Sequence, residues 1–235
     1  MAQYFSIAPL ISSCQHRSPD TAAMFSFILR LGLIVALVTT ASCRSRDVPA
    51  LPPIPGNQLR AVADFAVSAD RGDRSRALFI EASRVFLHPR CANCHPNGDE
   101  PSQGMQMTPH QPPVTRGPDG RGVVGMECTS CHQDRNLVQA RVPGARDWHL
   151  APREMAWIGK TPRQICEQIK DRKRNGGKSL AEIVEHNAHD QALVAWGWSP
   201  GSDREPAPGS QEQFGAIVAA WVETGAECPS EGVRR

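Results

Sequence analysis

Apolar positions in this chain fall into a few helix-like groups separated by long stretches without a period. Leu78, Phe79, Ala82, Val85 and Phe86 recur at i, i+1, i+4, i+7 and i+8, which is one face of a helix. A shorter helical run, Gln58 to Val67, precedes it with Asn57 as its cap, and Asp70-Arg-Gly-Asp73 reads as the break between the two. Three later helices carry explicit start signals. Thr161-Pro162-Arg163-Gln164 joins a capping box to a proline at the first helical position, and Asn175-Gly176-Gly177 is the expected stop. Ser179 and Glu182 open a helix running towards Trp196; Ser210 and Gln213 open another, with Phe214, Ile217, Val218, Trp221 and Val222 on one face and Gly225 after it. Between these groups, residues 96–127 hold six Pro and six Gly in 32 residues and can form little helix. Arg116-Gly-Pro-Asp-Gly-Arg-Gly122 is a turn signal that predicts a short hairpin between Val114 and Val123. Residues 135–153 are equally aperiodic. The pattern predicts a mainly α domain over 57–235, with long Pro/Gly-rich ordered loops and little strand.

The first 42 residues read differently, as a leader. Met24-Phe-Ser-Phe-Ile-Leu-Arg30 and the uncharged run Leu31 to Ser42 have the form of a signal peptide, which makes Met24 a candidate true start. The run ends Val38-Thr-Thr-Ala-Ser-Cys43, a permissive lipobox in which Cys43 would be lipidated; the alternative is ordinary cleavage near Ala41-Ser42. Residues 43–56, rich in proline, read as a tether able to hold the domain about 40 Å from a membrane. The expected location is the periplasm of a Gram-negative bacterium, as a membrane-anchored lipoprotein. A formal net charge of +2 gives no reason to expect a nucleic-acid partner.

Two motifs change the picture. Cys91-Ala-Asn-Cys94-His95 returns 37 residues later as Cys128-Thr-Ser-Cys131-His132. C-x-x-C-H is the attachment pattern of a c-type haem: two thiols add across the porphyrin vinyl groups and the adjacent histidine reaches the iron. One copy could arise by chance or be half a zinc site; two copies in an exported chain predict two covalent haems, with His95 and His132 as proximal ligands. Two haems would also supply core that a chain only 40% hydrophobic lacks. Of the remaining cysteines, Cys14 falls in the leader and Cys43 in the lipobox, which leaves Cys166 and Cys228. An even pair in an oxidising compartment predicts a disulfide, against the alternative of two buried free thiols.

The distal ligands are less legible. His110 lies on a proline-stiffened loop between the motifs and His149 in the apolar setting Trp148-His149-Leu150-Ala-Pro152; both rank first as distal candidates. His189, Met126 and Met155 rank behind them, and His186 behind His189. His88, three residues before its own motif, reads as a hydrogen-bonding residue. Arg116, Arg121, Arg141 and Arg153 are candidate propionate partners, most of them expected in solvent. Distal His keeps a haem potential low and distal Met raises it, so the identity matters.

The run Cys91 to Asp99, Pro109-His110, Arg116-Gly-Pro-Asp-Gly120, Gly125-Met126, Trp148 to Pro152, Met155-Ala-Trp157, Ile165-Cys-Glu-Gln-Ile169 and Trp196-Gly-Trp198 resemble a family of small exported cytochrome c proteins. Its members are often labelled as subunits associated with isoquinoline oxidoreductase-type molybdenum hydroxylases. The resemblance spans about residues 85–228. It implies a cytochrome c-like fold whose haems pass electrons from a periplasmic oxidoreductase to a respiratory acceptor, any hydroxylase activity residing in other subunits. The expectation is therefore a non-catalytic dihaem electron carrier. The alternative is a haem enzyme, of dihaem peroxidase or thiol-oxidising type, with one open or displaceable axial position; a sensor is a third reading without an output domain to support it.

Overall fold

The computed structural model describes residues 51–201 and 203–231. The leader, Cys43 and residues 43–50 of the expected tether lie outside the described residues. The chain is about 40% helical and 8% strand, which agrees with the helical lean read from the pattern.

Four helices make the core. α1 (Arg71–Phe86) is capped by Asp70, whose carboxylate accepts from Asp73 N at 2.8 Å, so the expected break is the helix start. α1 and a later helix, α7 (Gln211–Glu223), face each other, and α5 (Leu180–His189) packs on the other side of α7. Phe79, Phe86, Phe214, Ile217, Val218 and Trp221 fill the interface, with α4 (Pro162–Lys170) adding Ile165 and Ile169. The capping boxes at Thr161, Ser179 and Ser210 all form as expected. Close approach of α5 to α7 depends on Gly215, where a Cβ would press into Ala188. The Cys166–Cys228 disulfide ties α4 to the segment after α7, as expected. Among the described residues no helix is long and apolar enough to cross a membrane.

Several expectations are corrected. Residues 58–67 form only a 3-10 helix, Val62–Val67; Asp64 accepts from Ala61 N at 3.0 Å, which makes Ala61 the cap in place of Asn57. Residues 51–56 do not hang free. Leu51 packs against the core, Arg84 donates to Pro55 O at 2.8 Å and Gly56 O at 3.1 Å, and Arg60 reaches Pro52 O. α4 ends at Lys170 rather than at Asn175, because Asn175 turns the loop by donating to Ile169 O and Lys178 O. α5 stops at His189, where Asp190 captures Ala192 N and Val194 N, and a short helix α6 (Leu193–Trp196) restarts.

The Pro/Gly-rich half forms α2 (Pro89–Ala92), β1 (Ser102–Gln103), β2 (Thr108–Pro109), β3 (Gly122–Val123), β4 (Met126–Glu127), α3 (Cys128–Cys131), β5 (Arg135–Leu137) and β6 (Val142–Ala145). Its strands pair antiparallel as β1–β2, β3–β4 and β5–β6. The hairpin expected between Val114 and Val123 is displaced to β3–β4, with Gly122 opposite Glu127. Arg116 to Gly122 instead closes on itself through Gly122 N to Arg116 O at 2.9 Å.

Candidate functional site

The first C-x-x-C-H motif begins at the end of α2 and continues into the turn after it, while both cysteines of the second lie on one helical turn. α2 carries Cys91, and its cap is His88, whose Nδ1 accepts from Arg90 N at 3.3 Å; this is the hydrogen-bonding role expected of His88. α3 runs from Cys128 to Cys131. A spacing of three on a helical turn places two side chains on one face. None of Cys91, Cys94, Cys128 and Cys131 is in a disulfide. Burial first of all pushes the Cys91 thiol up to about 12 and the Cys94 thiol up to about 11, with the nearby Cys128 contributing to the rise at Cys94, so the motifs are neighbours in space.

One segment, residues 143–157, builds the surroundings of both motif histidines. His95 Nδ1 meets Met155 O at 2.7 Å, and His132 Nδ1 meets Pro143 O at 2.7 Å. A carbonyl oxygen can only accept, so in each neutral ring Nδ1 carries the hydrogen and Nε2 keeps its lone pair. Each ring also has an indole parallel to it. Trp157 lies over His95 at 3.3 Å between centroids with planes 6° apart; Trp148 lies over His132 at 4.5 Å and 7°. The same segment pins the backbone of the first motif, Ala151 N donating to Cys94 O at 3.1 Å and Trp157 N to His95 O at 2.9 Å, and Leu150 N donates to Gly120 O, ahead of the second motif, at 2.8 Å. Gly120 O in turn faces the Cys128 thiol at 3.9 Å.

Burial lowers the His95 ring to about 3, with His186 and Arg116 adding to it against the raising effect of the Met155 carbonyl. Burial lowers His132 also, opposed by Pro143 O and assisted by His110 and Arg204. Both imidazoles are therefore neutral at pH 7, the protonation state in which a histidine ligates a metal. Trp157 Nε1 is a buried donor with no acceptor within the described chain.

Two buried arginines lock the segment in place. Arg116, 5% exposed, donates to Ala151 O at 2.7 Å and Gly98 O at 3.4 Å. Arg90, beside Cys91, donates to Glu205 O at 2.6 Å and stacks its guanidinium 5.7 Å over Trp196. Trp196 packs edge-on against Trp148 at 5.1 Å. The residue next to the first motif thus supports the indole that covers the second.

The distal candidates separate clearly. His110 comes to 5.9 Å from His132 between ring centroids. His149 points its Nδ1 at Asp147 O, 2.5 Å away, and stands beside the Asp147 carboxylate; it is not among the rings in contact with His95 or His132. His189 is exposed and its Nε2 lies 3.9 Å from Glu185. His186, ranked below it from sequence, is the one whose charge reaches His95, and its Nδ1 stands 3.4 Å from Asp190. Met126 is 42% exposed on the β3–β4 hairpin, while Met155 is buried and offers His95 its carbonyl. Of the other candidate arginines, Arg121 pairs with Asp147, Arg141 with Asp203 at 2.9 Å and Arg153 with Asp99.

Among the described residues no three His, Cys, Asp or Glu side chains converge to hold a bare ion. Surface cavities of about 400 Å³ beside Trp198 and Arg204 and about 450 Å³ beside Arg163 and Cys228 are lined by no motif residue. Sequence reasoning missed the two carbonyl props, Pro143 and Met155. A backbone oxygen belongs to every residue type, so no sequence signal marks it. No family model, curated protein or solved structure matches the chain.

Proposed function

We propose that this chain is an exported dihaem c-type cytochrome, with a cytochrome c-like fold, that carries single electrons between a periplasmic oxidoreductase and the respiratory chain. The observation that carries the reading is the doubled arrangement. Each motif histidine has its Nδ1 on a carbonyl, an indole on its face and its Nε2 lone pair available, beside two thiols that form no disulfide. Cys166 and Cys228 of the same chain are paired, so the unpaired state of the motif thiols is selective.

The residues fit the group. A haem would bring most of its iron's ligands with it, so the protein would need to add only one or two rather than a cluster of three or more. Cys91, Cys94 and His95 would hold one haem, and Cys128, Cys131 and His132 the other. Trp157 Nε1, buried without an acceptor, is a donor suited to a carboxylate-bearing ligand, since leaving it unmet costs about 1–3 kcal/mol. Haem, when bound, supplies reversible one-electron chemistry at iron. The chain's own part is to keep His95 and His132 neutral and oriented and to hold the backbone of the first motif against residues 143–157.

The partner implied by the sequence resemblance is a molybdenum hydroxylase, with a respiratory acceptor downstream and lipid at Cys43 keeping the carrier at the membrane. The deciding experiment is absorption spectroscopy of the exported protein, oxidised and reduced, with and without carbon monoxide or peroxide, alongside a covalent haem count. Two haems per chain, both six-coordinate and indifferent to carbon monoxide and peroxide, are expected of a carrier. A high-spin haem that binds either would move the assignment to the haem-enzyme alternative.

A further inference from the structure

The second motif has a partner histidine already opposite it. His132 and His110 are 5.9 Å apart between ring centroids, with planes crossing at 65°. Two imidazoles bound through nitrogen to opposite sides of one metal ion, at about 2.0–2.1 Å each, hold their ring centres roughly 6 Å apart whatever the angle between their planes. Ordinary ring packing spans that distance too, so the tautomers matter. His110 Nδ1 meets Pro112 O at 2.9 Å and His132 Nδ1 meets Pro143 O at 2.7 Å. Both acceptors are carbonyls, so both neutral rings keep an Nε2 lone pair.

The position of His110 is also built. It follows directly on β2, its N–H donates to Pro101 O at 3.1 Å, and Gln111 N donates to Gln103 Oε1 at 3.1 Å. The β1–β2 hairpin is fastened to Asn93, one of the two buried residues between the cysteines of the first motif. Ser102 Oγ donates to Asn93 Oδ1 at 2.7 Å, and Asn93 Nδ2 donates to Gly104 O at 3.0 Å. The first motif therefore holds the loop that presents His110 to the second.

We propose that His110 is the sixth ligand of the haem held by Cys128, Cys131 and His132, which makes that centre bis-histidine and closed to exogenous ligands. The proposal rests on the dihaem reading. Its test uses the full chain exported and matured with its haems. In the reduced wild-type protein, carbon monoxide leaves the second haem unchanged. His110→Gly makes one haem per chain bind carbon monoxide, and added imidazole suppresses that binding. His110→Met keeps the haem six-coordinate and raises one of the two midpoint potentials while the other stays in place. His149→Gln behaves as wild type. The proposal is overturned if His110→Gly leaves the spectra, the carbon monoxide response and both potentials unaltered, or if His149→Gln produces the ligand-binding haem instead. A wild-type protein in which both haems bind carbon monoxide also overturns it, with the dihaem reading intact. Absence of covalent haem from the wild-type protein overturns both.

Discussion

The two motif regions share a recipe and differ in their foundations. Around His95, the stacked Trp157 packs on Phe86 at 5.1 Å, and Phe86 packs on Phe214 at the same distance inside the α1–α7 interface. Cys91 itself leans on that core. Around His132, the stacked Trp148 is buried outside the main cluster and leans on Trp196, whose Nε1 donates to Asn136 of β5 at 2.9 Å. On either side of the second motif in the chain, Val123, Val124, Met126, Leu137 and Val138 stand in solvent, and Cys131 is exposed. One carbonyl and one indole are enough to orient a motif histidine locally. How deeply that histidine is protected depends on which layer of the molecule supplies the indole.

The comparison can be broken most directly at the indoles. Trp157→Ala removes a buried aromatic from the main core and is expected to cost about 3–5 kcal/mol, read as a lower midpoint in denaturant. Trp148→Ala is expected to cost less; an equal loss would mean that both centres rest on one core. Trp157→Phe should recover most of the stability, because Nε1 makes no hydrogen bond within the chain.

Acid should separate the centres next. In the cofactor-free chain His95 titrates near 3 against an ordinary value of 6.5. Between those values the folded state binds fewer protons than the unfolded state. Stability is then full above about pH 6.5 and falls by up to about 1.4 kcal/mol per pH unit as pH drops towards 3. Imidazole NMR should find His95 the last of the histidines to protonate; protonation of His95 near 6.5 would remove the burial argument.

Gly144→Ala tests the second centre alone. A Cβ there would collide with the carbonyl oxygens of Arg135 and Gln133 and shift Pro143 O from His132. A cost of about 1–3 kcal/mol is expected, with His132 resonances displaced and those of His95 unmoved. The smallest effect belongs to Arg121→Ala. Its pair with Asp147 is exposed, so the denaturation midpoint should barely move, and less still in high salt.

Much of this was legible in advance wherever the signal was local. The capping boxes at Thr161, Ser179 and Ser210 and the apolar face of α7 read directly, because a cap and a 3.6-residue period are properties of a short segment. The β3–β4 hairpin was misplaced because Arg116, whose guanidinium is spent on Ala151 and Gly98, holds the turn signal in a closed loop instead. Residues 51–56 read as free tether because nothing local announces that Arg60 and Arg84, far along the chain, take their carbonyls. His149 ranked with His110 since both stand beside proline or tryptophan; only the fold places one against His132 and turns the other to Asp147.

By itself the sequence determined the two C-x-x-C-H motifs, the even pair Cys166 and Cys228, and the helices that carry their own start signals. These are covalent spacings or contacts within a single turn, and they survive without knowledge of the rest of the chain. The tertiary structure decided which carbonyl and which indole serve each motif histidine, which distal candidate meets His132, and how unequal the two centres are. Those depend on residues 143–157 passing between both motifs, and on Arg90 and Asn93 of one motif region bracing the surroundings of the other. Contacts of that range are set by where the whole chain packs, which no local pattern encodes.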